Sequence, residues 1–220
     1  MVASVSLAED TTKTERHCSR AHPEKLFYLS SMELLSTTPP KVYTLEEYFA
    51  LEETAETRHE FVHGKLIAMP GESKIANKIV GNCHFTLRTA LRGKPFDIFM
   101  HDVRLIVRPE QIYRYPDLVV APTTDQHDTH AITQPALIIE VLSESTARTD
   151  RDDKLKEYSQ MERLHYYLLV EQDKISVECF RRNGTKWEYE WYEALSEVVE
   201  MPFFPLALPL SEVYEGVFGA

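Results

Sequence analysis

Order in the pattern begins near Val42. Thr44 followed three residues later by Glu47 is a capping box, and Leu45, Tyr48 and Phe49 supply one apolar face, which predicts a short helix over 45–53. Glu60-Phe61-Val62 and Lys65–Met69 flank His63-Gly64. A two-residue connection ending in glycine predicts a tight hairpin, stopped by Pro70 and Gly71. Ser73 caps a second helix in which Ile75, Ile79, Cys83, Leu87 and Leu91 recur every four residues, with Val80 broadening the stripe until Gly93 and Pro95 end it. Three strands follow. In the first, Val103, Leu105 and Val107 alternate with Arg104, Ile106 and Arg108; the second runs from Tyr115 to Ala121; the third, Pro135–Leu142, is almost continuously apolar, as a central strand covered on both faces must be. A helix within 145–161 turns Leu155 and Tyr158 inward. Strands over 164–170, 175–181 and 186–192 come next, the last two joined at Asn183-Gly184, and Leu210–Phe218 reads as a closing helix. Helix, hairpin, helix, three strands, helix, three strands, helix is the order of one α/β or α+β domain with a mixed sheet over 42–220.

Residues 1–41 read as a poorly ordered tail. The first 31 have neither helical nor strand period and no apolar stretch of the kind a signal peptide needs. Met32 is an alternative initiator. The charge confirms the division: acids and bases cancel over residues 1–31, so the formal charge of -11 belongs to the rest. So acidic a chain does not bind nucleic acid or anionic membrane by bulk electrostatics; a nucleic-acid role needs a local basic surface or a metal ion. Three distant cysteines, Cys18, Cys83 and Cys179, exclude a disulfide scaffold and fit a reducing cytoplasm. No apolar stretch approaches the roughly 18–20 residues that span a bilayer.

The candidate chemistry centres on Glu140, an acid inside Ala-Leu-Ile-Ile-Glu-Val-Leu. An unpaired carboxylate in a buried strand costs several kcal/mol, so a cation, a proton or a hydrogen-bond network must compensate. Asp117 follows Pro116 at a strand start. If the two strands are neighbours, both carboxylates approach one point and can hold a hard divalent cation such as Mg²⁺; alone, Asp117 reads equally as a turn residue. Lys154 lies on the helix after the Glu140 strand, at the border of its buried side, and can reach the same point along its apolar stem. Spacing alone favours an exposed Asp150–Lys154 pair instead. On this reading Lys156 faces solvent, and replacing either lysine leaves the fold intact. His59 and His63 read as surface residues, and the ligand-rich loop Asp125–His130 as a solvated loop. Arg104, Arg108 and Arg114 form either a phosphate-facing strip or a solvent-facing edge. Trp187, Tyr189 and Trp191 alternate as core or as a dimer face.

Tyr-Pro-Asp-Leu-Val-Val at 115–120, Ile-Ile-Glu-Val-Leu-Ser at 138–143 and Ser-Thr-x3-Asp-x3-Lys-Leu-x2-Tyr at 145–158 together resemble the Uma-type restriction endonuclease family of bacteria, within the PD-(D/E)XK nuclease superfamily. The resemblance extends to the segments at Tyr43, Glu60 and His165, and so over roughly 42–218. It implies a restriction-endonuclease-like mixed sheet and a metal-dependent phosphodiesterase site acting on DNA, with Asp117 and Glu140 binding Mg²⁺ or Mn²⁺, Lys154 positioning water, and Glu60 completing the acidic set. The superfamily's lysine two residues after the glutamate is Leu142 here, and Lys154 matches the place to which the subfamily moves it. Asn77 stands where relatives carry a histidine. Two other readings stay open: a nuclease fold that has lost turnover and serves as a binding or regulatory module, and a structural homodimer in which Glu140 merely pairs with Lys154.

Overall fold

The computed structural model describes residues 41–125, 128–204 and 206–218. The expected tail up to Pro40, with Met32 and Cys18, lies outside them, as does His127 of the ligand-rich loop. Helix α1 (Leu45–Glu52) opens on the capping box, Thr44 and Glu47 bonding each other's backbone N–H. The hairpin β1 (His59–Val62) and β2 (Lys65–Ala68) turns through His63 and Gly64, both at positive φ, the twist that suits a two-residue connection. Ser73 accepts from Ala76 N–H to start α2 (Lys74–Ala90). Then come β3 (Phe96–Met100), β4 (Arg104–Arg108), β5 (Ile112–Arg114), β6 (Leu118–Pro122), β7 (Ala131–Ile132) and β8 (Leu137–Leu142). A helical segment of three parts follows: α3 (Ala147–Thr149), a π-helical turn over Asp150–Lys154, and α4 (Leu155–Tyr158). Strands β9 (Tyr166–Glu171), β10 (Val177–Asn183), β11 (Lys186–Tyr192), β12 (Val198–Met201) and β13 (Leu206–Pro209) precede α5 (Leu210–Val213).

The main sheet runs β11-β10-β9-β8-β6-β3, with β8 and β9 parallel and the other pairs antiparallel. A second sheet, β2-β1-β5-β4-β7, and the β12–β13 hairpin complete the mixed α+β fold. Strand β8 is buried at every position because it is central and covered on both faces. One face carries Leu137, Ile139 and Val141 against Ile79, Val80, Cys83 and Leu87 of α2 and the C-terminal residues. The other carries Ile138 and Leu142 against Tyr158, Tyr167 and Leu105. Among the described residues no helix is long and apolar enough to cross a membrane.

Several expectations change. Strands β3, β5, β7, β12 and β13 carry no clear period, being short or half-buried throughout. Ile75 leaves the stripe and is exposed. The β10–β11 turn falls on Gly184-Thr185, one residue later than expected. The closing helix stops at Val213, and the turn after it reaches Gly216 at positive φ. Tyr189 and Trp191 are not core: β11 is an edge strand, leaving them 50% and 60% exposed.

Candidate functional site

Strand β6 runs antiparallel to β8, with Leu118 opposite Ile139. Strand alternation puts Asp117 on the side of Val119, and Glu140 on the side of Ile138 and Leu142. Those three apolar residues share one core cluster, so both acids face the same way. The end of the ladder laces them together: Val141 N–H donates to Asp117 Oδ2 at 2.6 Å, and Asp117 N–H points to Glu140 Oε2 at 3.4 Å.

The π-helical turn delivers the lysine. Such turns replace the regular i to i−4 ladder locally and re-aim side chains. Here Asp150 and Lys154 both turn inward, 1% and 7% exposed. Lys154 Nζ lies 2.9 Å from Glu140 Oε1, 3.0 Å from Asp150 Oδ1 and 3.5 Å from Glu60 Oε1. The Asp150 contact lacks hydrogen-bond geometry, so that oxygen, although buried, takes no hydrogen bond. Tyr158 OH donates to Glu140 Oε1 at 3.1 Å, and Tyr167 OH pins the turn through the Asp150 carbonyl. Leu142, two residues after Glu140, is buried in the same core cluster as Tyr158 and Tyr167.

Glu60 enters from β1. Arg114, 2% exposed, donates to Glu60 Oε2 at 2.6 Å and grips Glu157 with two further donors, at 2.9 and 2.7 Å. Fork-to-carboxylate contacts of this kind fix orientation as well as charge. Glu60, Asp117, Glu140, Asp150 and Lys154 line one cleft of about 490 Å³. With Glu72 on the same lining and Glu157 beside it, six carboxylates stand against the two cations Arg114 and Lys154, a formal excess of four negative charges before any acid takes up a proton.

That excess shows in the titration of the site. Burial pushes Asp117 up to about 6, with the Glu72 and Asp150 charges adding to it. Glu140 rises to about 8, through burial first and then the Asp117 and Asp150 charges, against the pull of Lys154. For Lys154 burial acts downward, but Glu140, Glu60 and Asp150 outweigh it and keep the ammonium charged. Glu60 moves the other way: burial raises it, and Lys154 and Arg114 more than reverse that.

The other sequence candidates part from this site. Arg114 is a buried strut and Arg104 lies over Phe49 and Tyr48 while donating to Tyr115 OH, so no phosphate-facing strip forms with Arg108, which bonds Gln160. His59 is half-buried and pairs with Glu52 at 3.0 Å rather than standing on the surface. Asp125 accepts from Thr133 and Gln134, a structural use of the ligand-rich loop. Nothing in the residue pattern singles out Glu72 or His101. With Asp117 they offer ligand atoms all within 4.8 Å of one another. Glu72 Oε2 accepts from the Asn77 amide at 2.9 Å.

The sequence model of the Uma2 family, described as "Putative restriction endonuclease", matches residues 45–211. Two uncharacterized proteins of Synechocystis sp. are similar along most of their length. The protein sll1609 is 32% identical over 177 residues, 78% of this chain and 97% of its own. The protein slr1290 is 30% identical over 174 residues, 78% of this chain and 91% of its own. Among solved structures, a putative nuclease belonging to DUF820 from Anabaena variabilis superposes with a TM-score of 0.66 at 19% identity, covering 80% of this chain and 99% of that one. At that identity the two share a fold.

Proposed function

This chain belongs to the Uma2 putative restriction endonuclease family, and from that membership we propose that its acidic cleft is a metal-dependent site hydrolysing phosphodiester bonds of DNA. The observation that carries the reading is the convergence of Glu60, Asp117, Glu140 and Lys154 on one cleft from four separate segments. The donor set fits a divalent cation: carboxylates outnumber the cations of the cleft, a buried Asp150 oxygen takes no hydrogen bond, and Asp117 and Glu140 offer hard oxygen ligands. When bound, Mg²⁺ or Mn²⁺ supplies charge against the phosphoryl oxygens and acidifies a water. In this reading Asp117 and Glu140 are the metal ligands. Lys154 holds its proton, anchors Glu140 and directs its remaining donor to the attacking water or a phosphoryl oxygen. Glu60, fixed by Arg114, keeps the ammonium centred. Water adds to phosphorus and one ester P–O bond breaks, leaving a phosphomonoester and an alcohol.

The test is nicking of supercoiled plasmid by the full chain with Mg²⁺ and with Mn²⁺, beside Glu140→Gln. Cleavage by wild type and none by the variant is the expected result; equal nicking by both removes the reading. A second reading, a nuclease fold that binds without turnover, is favoured by one observation: Leu142 fills the superfamily's lysine place. Cation binding with an uncut plasmid selects it.

A further inference from the structure

Asp117 is held by one edge only. Its Oδ2 is taken by Val141 N–H, the one hydrogen bond to its carboxylate among the described residues, and the carboxylate comes within 4.8 Å of ligand atoms near the turn before α2. There Glu72 and His101 approach it. His101 follows β3, whose last residue pairs with Leu118, and its backbone N–H donates to the Asp117 carbonyl at 3.1 Å, which fixes the His101 backbone against that of the acid. Glu72 is steadied from the other side by Asn77, whose amide donates to Oε2 at 2.9 Å, leaving Oε1 toward His101 at 3.8 Å. Two carboxylates and one imidazole thus meet within 4.8 Å, from three separate segments, both carboxylates oriented by bonds from outside the trio. That is how metal ligands are commonly held: by partners that fix the ligand without competing for the ion. A second observation points the same way. Asp150 lines the cleft beside Asp117, 1% exposed, and its Oδ1 is met by the Lys154 ammonium at 3.0 Å without hydrogen-bond geometry. Waters on a cation beside Asp117 would supply the missing donors.

We infer that Glu72, His101 and Asp117 form a cation site of mixed nitrogen and oxygen ligands, which takes Mn²⁺ or a similar transition ion in preference to Mg²⁺. The selectivity follows from the imidazole. All-oxygen sets suit Mg²⁺, whereas a ring nitrogen adds affinity for transition ions and little for a hard ion that parts reluctantly with water. The role of this ion in cleavage rests on the hydrolase reading above; the binding itself does not.

The experiment is titration of the full chain with Mn²⁺, following free Mn²⁺ by electron paramagnetic resonance, with Mg²⁺ binding followed by calorimetry. His101→Gly removes the imidazole and keeps a residue that accepts the positive φ of this position. Glu72→Gln, at the exposed rim, is the second variant and carries the test should the first not fold. Wild type is expected to bind Mn²⁺ at least tenfold more tightly than Mg²⁺. Each variant should lose tenfold or more in Mn²⁺ affinity, and His101→Gly should change Mg²⁺ affinity by less than threefold. Wild type without bound Mn²⁺, or variants that bind it as wild type does, overturns the site. An uncut plasmid alongside intact Mn²⁺ binding counts against the hydrolase reading alone.

Discussion

Lys154 differs from its expectation in one respect with consequences. The sequence places it at the border of a buried face, replaceable without harm to the fold; the structure encloses it among Glu140, Glu60 and Asp150. Removing one partner of a buried ion cluster costs about 3–5 kcal/mol, because the others stay desolvated and unpaired. Lys154→Met should therefore reduce plasmid nicking by ~10²-fold or more and also lower the melting temperature by scanning calorimetry. The loss should be smaller at pH 5 than at pH 8, since protonated acids need no partner. Lys156→Ala, on the exposed side, should match wild type in both measurements. The pH dependence of the wild type has a fixed sign. Asp117 and Glu140 titrate at about 6 and about 8 in the folded chain, above their ordinary values of 3.8 and 4.5. The folded state therefore holds the extra protons, and the stability they give is full below about pH 4 and is lost as pH rises through 6 and then 8. Denaturant unfolding of wild type against Glu140→Gln should show the variant losing less stability between pH 5 and 9. Equal slopes would contradict the raised acid. Glu140 was legible in the sequence because an acid in an apolar strand demands an explanation, and Asp117 because Pro116 marks a strand start. Glu72, His101 and the strut role of Arg114 were not, since their meaning lies in partners such as Glu60, 54 positions away in the chain from Arg114.

At the scale of elements, the clearest signals were local ones. The capping box of α1, the Ser73 cap of α2 and the β1–β2 turn are each settled within a few residues and form as expected. Gly64 gives this a test. Its φ is +80°, and a Cβ there would stand 2.5 Å from Val42 Cγ1, while its carbonyl accepts from Tyr43 N–H. The left-handed conformation alone costs a non-glycine residue about 1–2 kcal/mol. Gly64→Ala should lower the melting temperature by roughly 2–8 °C in a domain of this size, and a variant melting with wild type would show that the turn is not held. The run Leu137–Leu142 announced a central strand by its unbroken apolarity. Strands β3 and β5 did not announce themselves: every residue of β3 is half-buried, and β5 has three residues. The π-helical turn was invisible for a different reason. Its Asp150 and Lys154 keep ordinary helical spacing, and what draws the lysine inward is the pair of distant carboxylates Glu60 and Glu140, which no local pattern encodes.

For the molecule as a whole, a formal charge of -11 decides how DNA can be approached. Without a cation the cleft repels a phosphate backbone, and the described residues give no strip of arginines to offset it. Gel-shift experiments with a short duplex should therefore show retention with Ca²⁺, which fills oxygen sites, and none with a chelator. Binding that persists in the chelator would place the contact surface away from the acids. The helical segment over 147–158 divides the machinery in a further way. Glu140 belongs to a central strand and Asp117 stands at the start of its neighbour, the frame that opens only when everything does, while Lys154 and Asp150 ride on a short segment secured by side chains: Tyr158 beneath, Tyr167 beside it, Arg114 on Glu157, and Arg151 on Glu171 and Glu178. Segments of this length open on their own in native proteins. Hydrogen exchange should therefore find amides of 150–158 exchanging faster than those of β8, by an opening that withdraws the ammonium and leaves the carboxylates standing. The chain would then possess a disarmed form that is still folded, populated according to the grip of a few side chains on one helical turn.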